Sequence, residues 1–336
     1  MFRSALKRCL EVFREVMRRN AVLFSVLGLL LVGLFALDLL VGAMRMPLSA
    51  LWGEGLEHQI MLSLRLPKAV TAVLAGASLA LSGLMMQTLF RNPLAGPYIL
   101  GVSSGATLGV ATLILFGTLL GFAASSAMTV TCAILGSVLV LLLVMAFSYK
   151  IKSNVTLLIV GMMIGSVAGA LVNVMQNFAN PDSLKLFIVW TLGSLSAVSW
   201  QEMCWLLPII LIGVCCVVAL IKPLNGLVLG EQYAEGLGVN IRRIRFLMVV
   251  ATGLLAGGIT AFCGPIAFVG VAVPHIARGL FRTSNHHLTV PATALVGANL
   301  LLVCDAISSA FTYPLPISTV SALFGAPIVV YVVLKK

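Results

Sequence analysis

The sequence predicts an all-α polytopic membrane protein with about ten transmembrane helices, some of them broken or half-length. Three observations lead there. Of 336 residues, 60% are hydrophobic and only 9% charged, more apolar surface than a soluble core of this size can hide, so the bilayer serves as solvent. Runs of roughly 20 apolar residues, enough to cross about 30 Å of hydrocarbon, recur between short polar or Gly/Pro-rich breaks. Lys and Arg gather in alternate breaks, as the positive-inside bias requires.

The elements follow in order. Residues 1–20 place Phe2, Leu6, Cys9, Phe13, Val16 and Met17 on one side and basic residues on the other, an interfacial amphipathic helix. Residues 21–336 form a single transmembrane domain whose spans are expected at 21–43, 67–89, 99–117, 126–148, 155–177, 204–221, 244–262, 270–284, 289–309 and 317–334. The first apolar run is too long for a signal-peptide core, which keeps it as a true span. With a cytoplasmic N-terminus and ten alternating spans, 17 of the 21 basic residues fall inside, and only Arg45, Arg65, Lys68 and Lys185 outside. Both termini are then cytoplasmic. The net charge of +11 reports topology rather than a nucleic-acid surface, because the basic residues are scattered over several loops.

One polar insert stands out, at about 227–242, within LVLGEQYAEGLGVNIRRIR. On a helix, Tyr233, Ala234 and Leu237 share a face while Glu231 and Glu235 sit on another, with Gly236 and Gly238 as stops. Such a helix is a handle for a soluble partner or an amphipathic loop on lipid headgroups. Three further places break the backbone at membrane depth: Arg91–Gly101, Asn180–Val198, which reads as a half-helix dipping in from outside, and Cys263–Leu280. Broken chain survives in lipid only when buried in protein or lining a water-filled path.

Asp38 and Asp305 are the acids expected within the bilayer, with His275 near a break. Asp38 is expected near headgroups, Asp305 in a structural hydrogen bond, and no acid pair of the kind a proton relay needs is expected. The seven cysteines form no CxxC pair and read as small apolar residues, and no metal site is expected. No GxxxxGK[ST], HExxH or GxSxG occurs, so catalytic residues and bound cofactors are expected to be absent, with ATP and Mg held by a separate subunit. An ion-coupled secondary transporter remains the alternative on these features alone.

The run RLPKAVTAVLAGASLALSGLMMQTLFRNPLAGPYILGVSSGA from Arg65, followed in order by LLIVGMMIG, LGEQYAEGLGV, GPIAFVGVAVPHIAR and PLPISTVSALFGAPIVVYVVLKK, resembles the membrane subunits of ABC importers for iron chelates, haem and vitamin B12. The resemblance implies a type II ABC importer permease of the bacterial inner membrane. Its partners would be a second copy of itself, two ATP-binding cassette subunits and a periplasmic or lipoprotein substrate-binding protein. It implies that Gly230, Glu231, Tyr233, Ala234, Glu235, Gly236, Leu237 and Gly238 form the ATPase-coupling element, that Arg65 and Lys68 dock the binding protein, and that Asn92, Leu94 and Asn154 belong to the gate or pathway. Met85, Met86, Met162 and Met163 are candidates for the cavity lining or for plain packing. The chain departs from the family pattern around Asn154, at Ser284–His287 and at Thr312–Pro316, departures expected to alter the gate and partner contacts rather than the fold.

Overall fold

The computed structural model describes residues 2–42, 47–53, 55–117, 125–151, 153–311 and 313–334. Arg45, Lys152, Thr312, Lys335 and Lys336 lie outside them, as do the side chains of residues 2–13. Twelve helices, and no strand, occur among the described residues: α1 Phe2–Leu40, α2 Leu56–Phe90, α3 Val102–Phe116, α4 Ser126–Lys150, α5 Asn154–Phe178, α6 Pro181–Thr191, α7 Trp200–Leu229, α8 Glu231–Gly236, α9 Ile241–Cys263, α10 Val269–Phe281, α11 His286–Ser309 and α12 Ile317–Leu334.

Seven of these are long and apolar enough to cross a membrane, and α3, α10 and α12 are shorter apolar helices. Together they occupy the ten segments expected from sequence. The N-terminus differs: α1 runs unbroken from Phe2 to Leu40, so residues 2–20 continue the first span instead of forming a separate helix.

Among the described residues, six helix starts carry a side-chain cap, which satisfies free amides locally. Asn180 accepts from Ser183 N at 2.8 Å ahead of Pro181, an arrangement that starts the half-length α6. Ser199 and Glu202 form a reciprocal capping box at α7, and Asn240 caps α9. Single-turn π segments at Met61–Arg65 and Gly253–Gly257 widen α2 and α9 without ending them, and a third, Thr112–Phe116, forms the last turn of α3.

Helix α2 is the axis of the bundle. In its most apolar window 78% of residues are buried, against 17% in α1, and it packs on α11, α10, α7 and α9. Small residues make this possible, since helices in lipid associate through close backbone approach rather than hydrophobic expulsion. A Cβ on Gly83 would lie 1.7 Å from the Gly270 carbonyl oxygen of α10, and one on Gly76 would lie 2.2 Å from that of Gly297 in α11. Met85 and Met86 are packing residues here, fully buried on α2, whereas Met162 and Met163 lie on an exposed face of α5.

Candidate functional site

The three backbone breaks expected from sequence meet at one place. The break after α2, whose Arg91 is left-handed (φ 47°), is tied to the break after α9 by Tyr98, whose hydroxyl donates to Ile266 O at 2.7 Å and accepts from Ile266 N at 3.2 Å. His275 Nε2 on α10 donates to Pro93 O at 2.6 Å, and Gln87 Nε2 donates to Val271 O at 3.0 Å. The turn after α6 joins through Ser194 N, which donates to Cys263 O at 2.8 Å. These non-helical amides are therefore satisfied inside protein, as lipid requires. His275, expected in a helix-terminal contact, lies midway along α10 and holds a loop carbonyl instead.

The polar insert hangs from the end of α7, beside the C-terminal end of α2. Gly230 has φ 129° and ψ 147°, a region open in practice to glycine alone, and it swings the chain out of α7 into α8. The helix is shorter than the sequence pattern suggests: it ends at Gly236, with Leu237 as its cap and Gly238 (φ 83°) turning the chain away. The expected apolar face is also divided. Ala234 is buried against Gly226, while Tyr233 and Leu237 are 55% and 63% exposed. Gln232 and Glu235 are exposed as well.

Glu231 points the other way. Its Oε1 accepts from Asn154 Nδ2 at 2.6 Å and lies 3.7 Å from Arg245 Nη2. The same Asn154 Nδ2 donates to Leu89 O at 2.9 Å, and Arg245 Nη1 donates to Ile151 O at 3.0 Å. Arg91 Nη2 reaches Leu227 O at 3.4 Å. The start of α5, the end of α2, α8 and α9 are thus stitched by a few polar contacts. Of the expected gate residues, Leu94 is exposed and Asn92 is used in a local turn, its Oδ1 accepting from Leu94 N at 2.9 Å. The Asn154 amide nitrogen is shared between the handle and the end of α2.

At the opposite end of α2, Arg65 and Lys68 do not stand as free rim charges. Lys68 Nζ lies 2.9 Å from Asp305 Oδ1 and donates to Ser309 Oγ at 2.5 Å. Arg65 Nη1 donates to Leu39 O at 2.6 Å. Asp38 and Asp305 are 5% and 2% exposed and interact with each other and with Lys68, so Asp38 turns into the bundle and away from headgroups, and the two acids form the pair that sequence reasoning missed. Two acids and two bases in one place keep the cluster near neutral, which is how buried charge is tolerated. A cleft of about 350 Å³ opens beside it, lined by Asp38, Gly42, Arg65, Lys68, Ser196 and Ser309.

Of the departure at Ser284–His287 only His286 turns inward, while Ser284, Asn285 and His287 stay exposed. His286 is buried, its backbone N–H donates to Asn225 Oδ1 at 2.7 Å, and Asn285 caps α11 by accepting from His287 N.

The model of the FecCD transport family matches residues 29–335. The chain belongs to the FecCD transport family. It is 36% identical over 323 residues to the vitamin B12 import system permease protein BtuC of Klebsiella pneumoniae subsp. pneumoniae, covering 95% of each chain. It is 37% identical over 292 residues to the protein of the same name from Salmonella typhimurium, covering 85% of this chain and 86% of that one. A solved inward-facing structure, described as of the metal-chelate ABC transporter type, superposes with a TM-score of 0.84 at 33% identity, covering 94% of this chain and 99% of that one. As a family member the chain is a type II ABC importer permease, a transport subunit and not an enzyme. That membership decides against the ion-coupled secondary transporter.

Proposed function

We propose that this FecCD-family permease carries a metal chelate, cobalamin or an iron complex such as a ferric siderophore or haem, across a bacterial inner membrane. Two copies would enclose the path, with two ATP-binding cassette subunits at the α8 end and a periplasmic or lipoprotein substrate-binding protein at the Arg65 end. The α8 end, and with it both termini, faces the cytoplasm in this reading, supported by the basic residues concentrated there. Cobalamin is the first cargo to assay, because the relatives named above import vitamin B12.

The observation that carries the reading is the handle: a six-residue helix on a glycine hinge, presenting Tyr233 and Leu237 outward and fixed from behind by Ala234 and Glu231. Gly230, Glu235, Gly236 and Gly238 complete this coupling element. ATP-driven movement of the ATPase pair would be passed through it to the spans. Arg65 and Lys68 would meet acids of a binding protein only in competition with their internal partners, Leu39 O and Asp305. Asn92 and Leu94 would lie where the path narrows at the cytoplasmic side.

The test is co-purification with a co-expressed ATP-binding cassette subunit, followed by uptake assays with labelled cobalamin, ferric siderophore and haem. ATPase retention and ATP-dependent uptake of one of the three are expected. Uptake that persists without the ATPase and collapses with the proton or sodium gradient would refute the reading.

A further inference from the structure

Glu231 lies on the handle, yet its carboxylate faces the bundle. It is half-buried beside the amide of Asn154 and the guanidinium of Arg245, whose side chain is 6% exposed. Asn154 is the first residue of α5, and its single amide nitrogen donates both to Glu231 and to Leu89 O, one residue before the end of α2. An aspartate or an apolar side chain there cannot satisfy both acceptors, because an amide NH₂ has two protons to give while a carboxylate has none. Arg245 adds Ile151 O, just ahead of α5, to the same knot. Asn154 and Arg245 thus tie the Glu231 carboxylate to the end of α2, the start of α5 and α9.

We propose that Asn154, Glu231 and Arg245 form a positioning unit that makes the handle move as one rigid piece with the start of α5 and the end of α2. Asn154 acts here as a positioning residue. Tyr233 and Leu237 grip the partner, and the Glu231–Asn154 contact transmits that grip to the span whose entry it closes. The proposal rests on the reading of α8 as the ATPase-docking element. It adds the side-chain route by which displacement of α8 reaches α2 and α5.

The experiment uses the full complex with its ATPase in nanodiscs, spin-labelled at Gln232 and Thr156, two exposed positions on either side of the contact. With only one of the two permease copies labelled, the inter-label distance is measured without nucleotide and with ATP plus vanadate. In the wild type one narrow distance, identical in both states, is expected. Asn154→Ala and Glu231→Ala approach the contact from opposite sides, and in each the distance is expected to broaden and to differ between states. Glu231→Gln keeps an acceptor for Asn154 and is expected to behave as wild type, a rescue that a general loss of folding would not give.

Loss of the ATPase from an alanine variant but not from Glu231→Gln would be the same result in stronger form. A wild-type distance that changes with nucleotide, alanine variants that match wild type, or a Glu231→Gln variant that behaves like Glu231→Ala would each overturn the proposal while leaving the docking reading intact. Failure of the wild-type chain to retain its ATPase would overturn both.

Discussion

The two ends of α2 carry charge in opposite ways. At the Arg65 end, four ionisable side chains from α1, α2 and α11 turn toward one another, and two of them are almost wholly buried acids. At the Arg91 end, the handle keeps Tyr233 and Leu237 out and Glu231 in, with Gly230 allowing the reversal. The first arrangement invests polar groups in holding helices together. The second exposes apolar surface that the bundle does not need, which is what a docking surface requires and a self-contained bundle avoids.

If this contrast holds, stability and partner binding should separate by end. The largest effect is expected for Lys68→Met, which leaves Asp305 and Asp38 without their nearest cation. Breaking a buried pair in this way costs about 3–5 kcal/mol, readable as a large fall in the thermal midpoint of the detergent-solubilised protein. Adding Asp305→Asn should recover part of it. A Lys68→Met protein as stable as wild type would mean that the cluster is a solvated rim after all.

Next is Gly230→Ala. A side chain at φ 129° is strained by about 1–3 kcal/mol, and because only the hinge suffers, ATPase retention should fall further than global stability does. Comparable loss in both would make the hinge part of the bundle's fold.

Leu237→Asp should change stability by less than about 0.5 kcal/mol, since the side chain is exposed and touches no feature of the core. Co-purification of the ATPase should nevertheless drop sharply. Smallest of all in its effect on partner binding, Arg65→Gln should leave ATPase retention unchanged, lower stability by about 1 kcal/mol through the lost contact with Leu39 O, and weaken binding-protein docking in a salt-dependent way. Wild-type docking at every ionic strength would remove Arg65 from that role.

Much of the fold was legible because hydropathy is local. Each apolar run announced its helix, Asn180 and Pro181 announced the half-length α6, and the prolines and glycines near 91–101 and 264–274 announced the breaks. What escaped is set by contacts between residues distant in sequence. Nothing in the neighbourhood of Asp38 tells that Asp305 will face it, and Lys68 reads as an outward rim charge until α11 brings that acid and Ser309 alongside. The handle shows the same limit at short range. Helical spacing grouped Ala234 with Tyr233 and Leu237, but the helix stops at Gly236 and Gly226 receives Ala234, so the face divides. Asn154 was picked out through the family resemblance, while its bond to Glu231 emerged only in three dimensions. The π turns left no pattern in the sequence, since an extra residue in a buried turn does not alter mean hydropathy.

The most direct measurement is cysteine chemistry at the handle in intact cells, using Leu237→Cys in a background with the native cysteines replaced. The account predicts a cross-link to the co-expressed ATPase and no labelling by a membrane-impermeant maleimide added outside. Labelling from outside, with no ATPase cross-link, would contradict it.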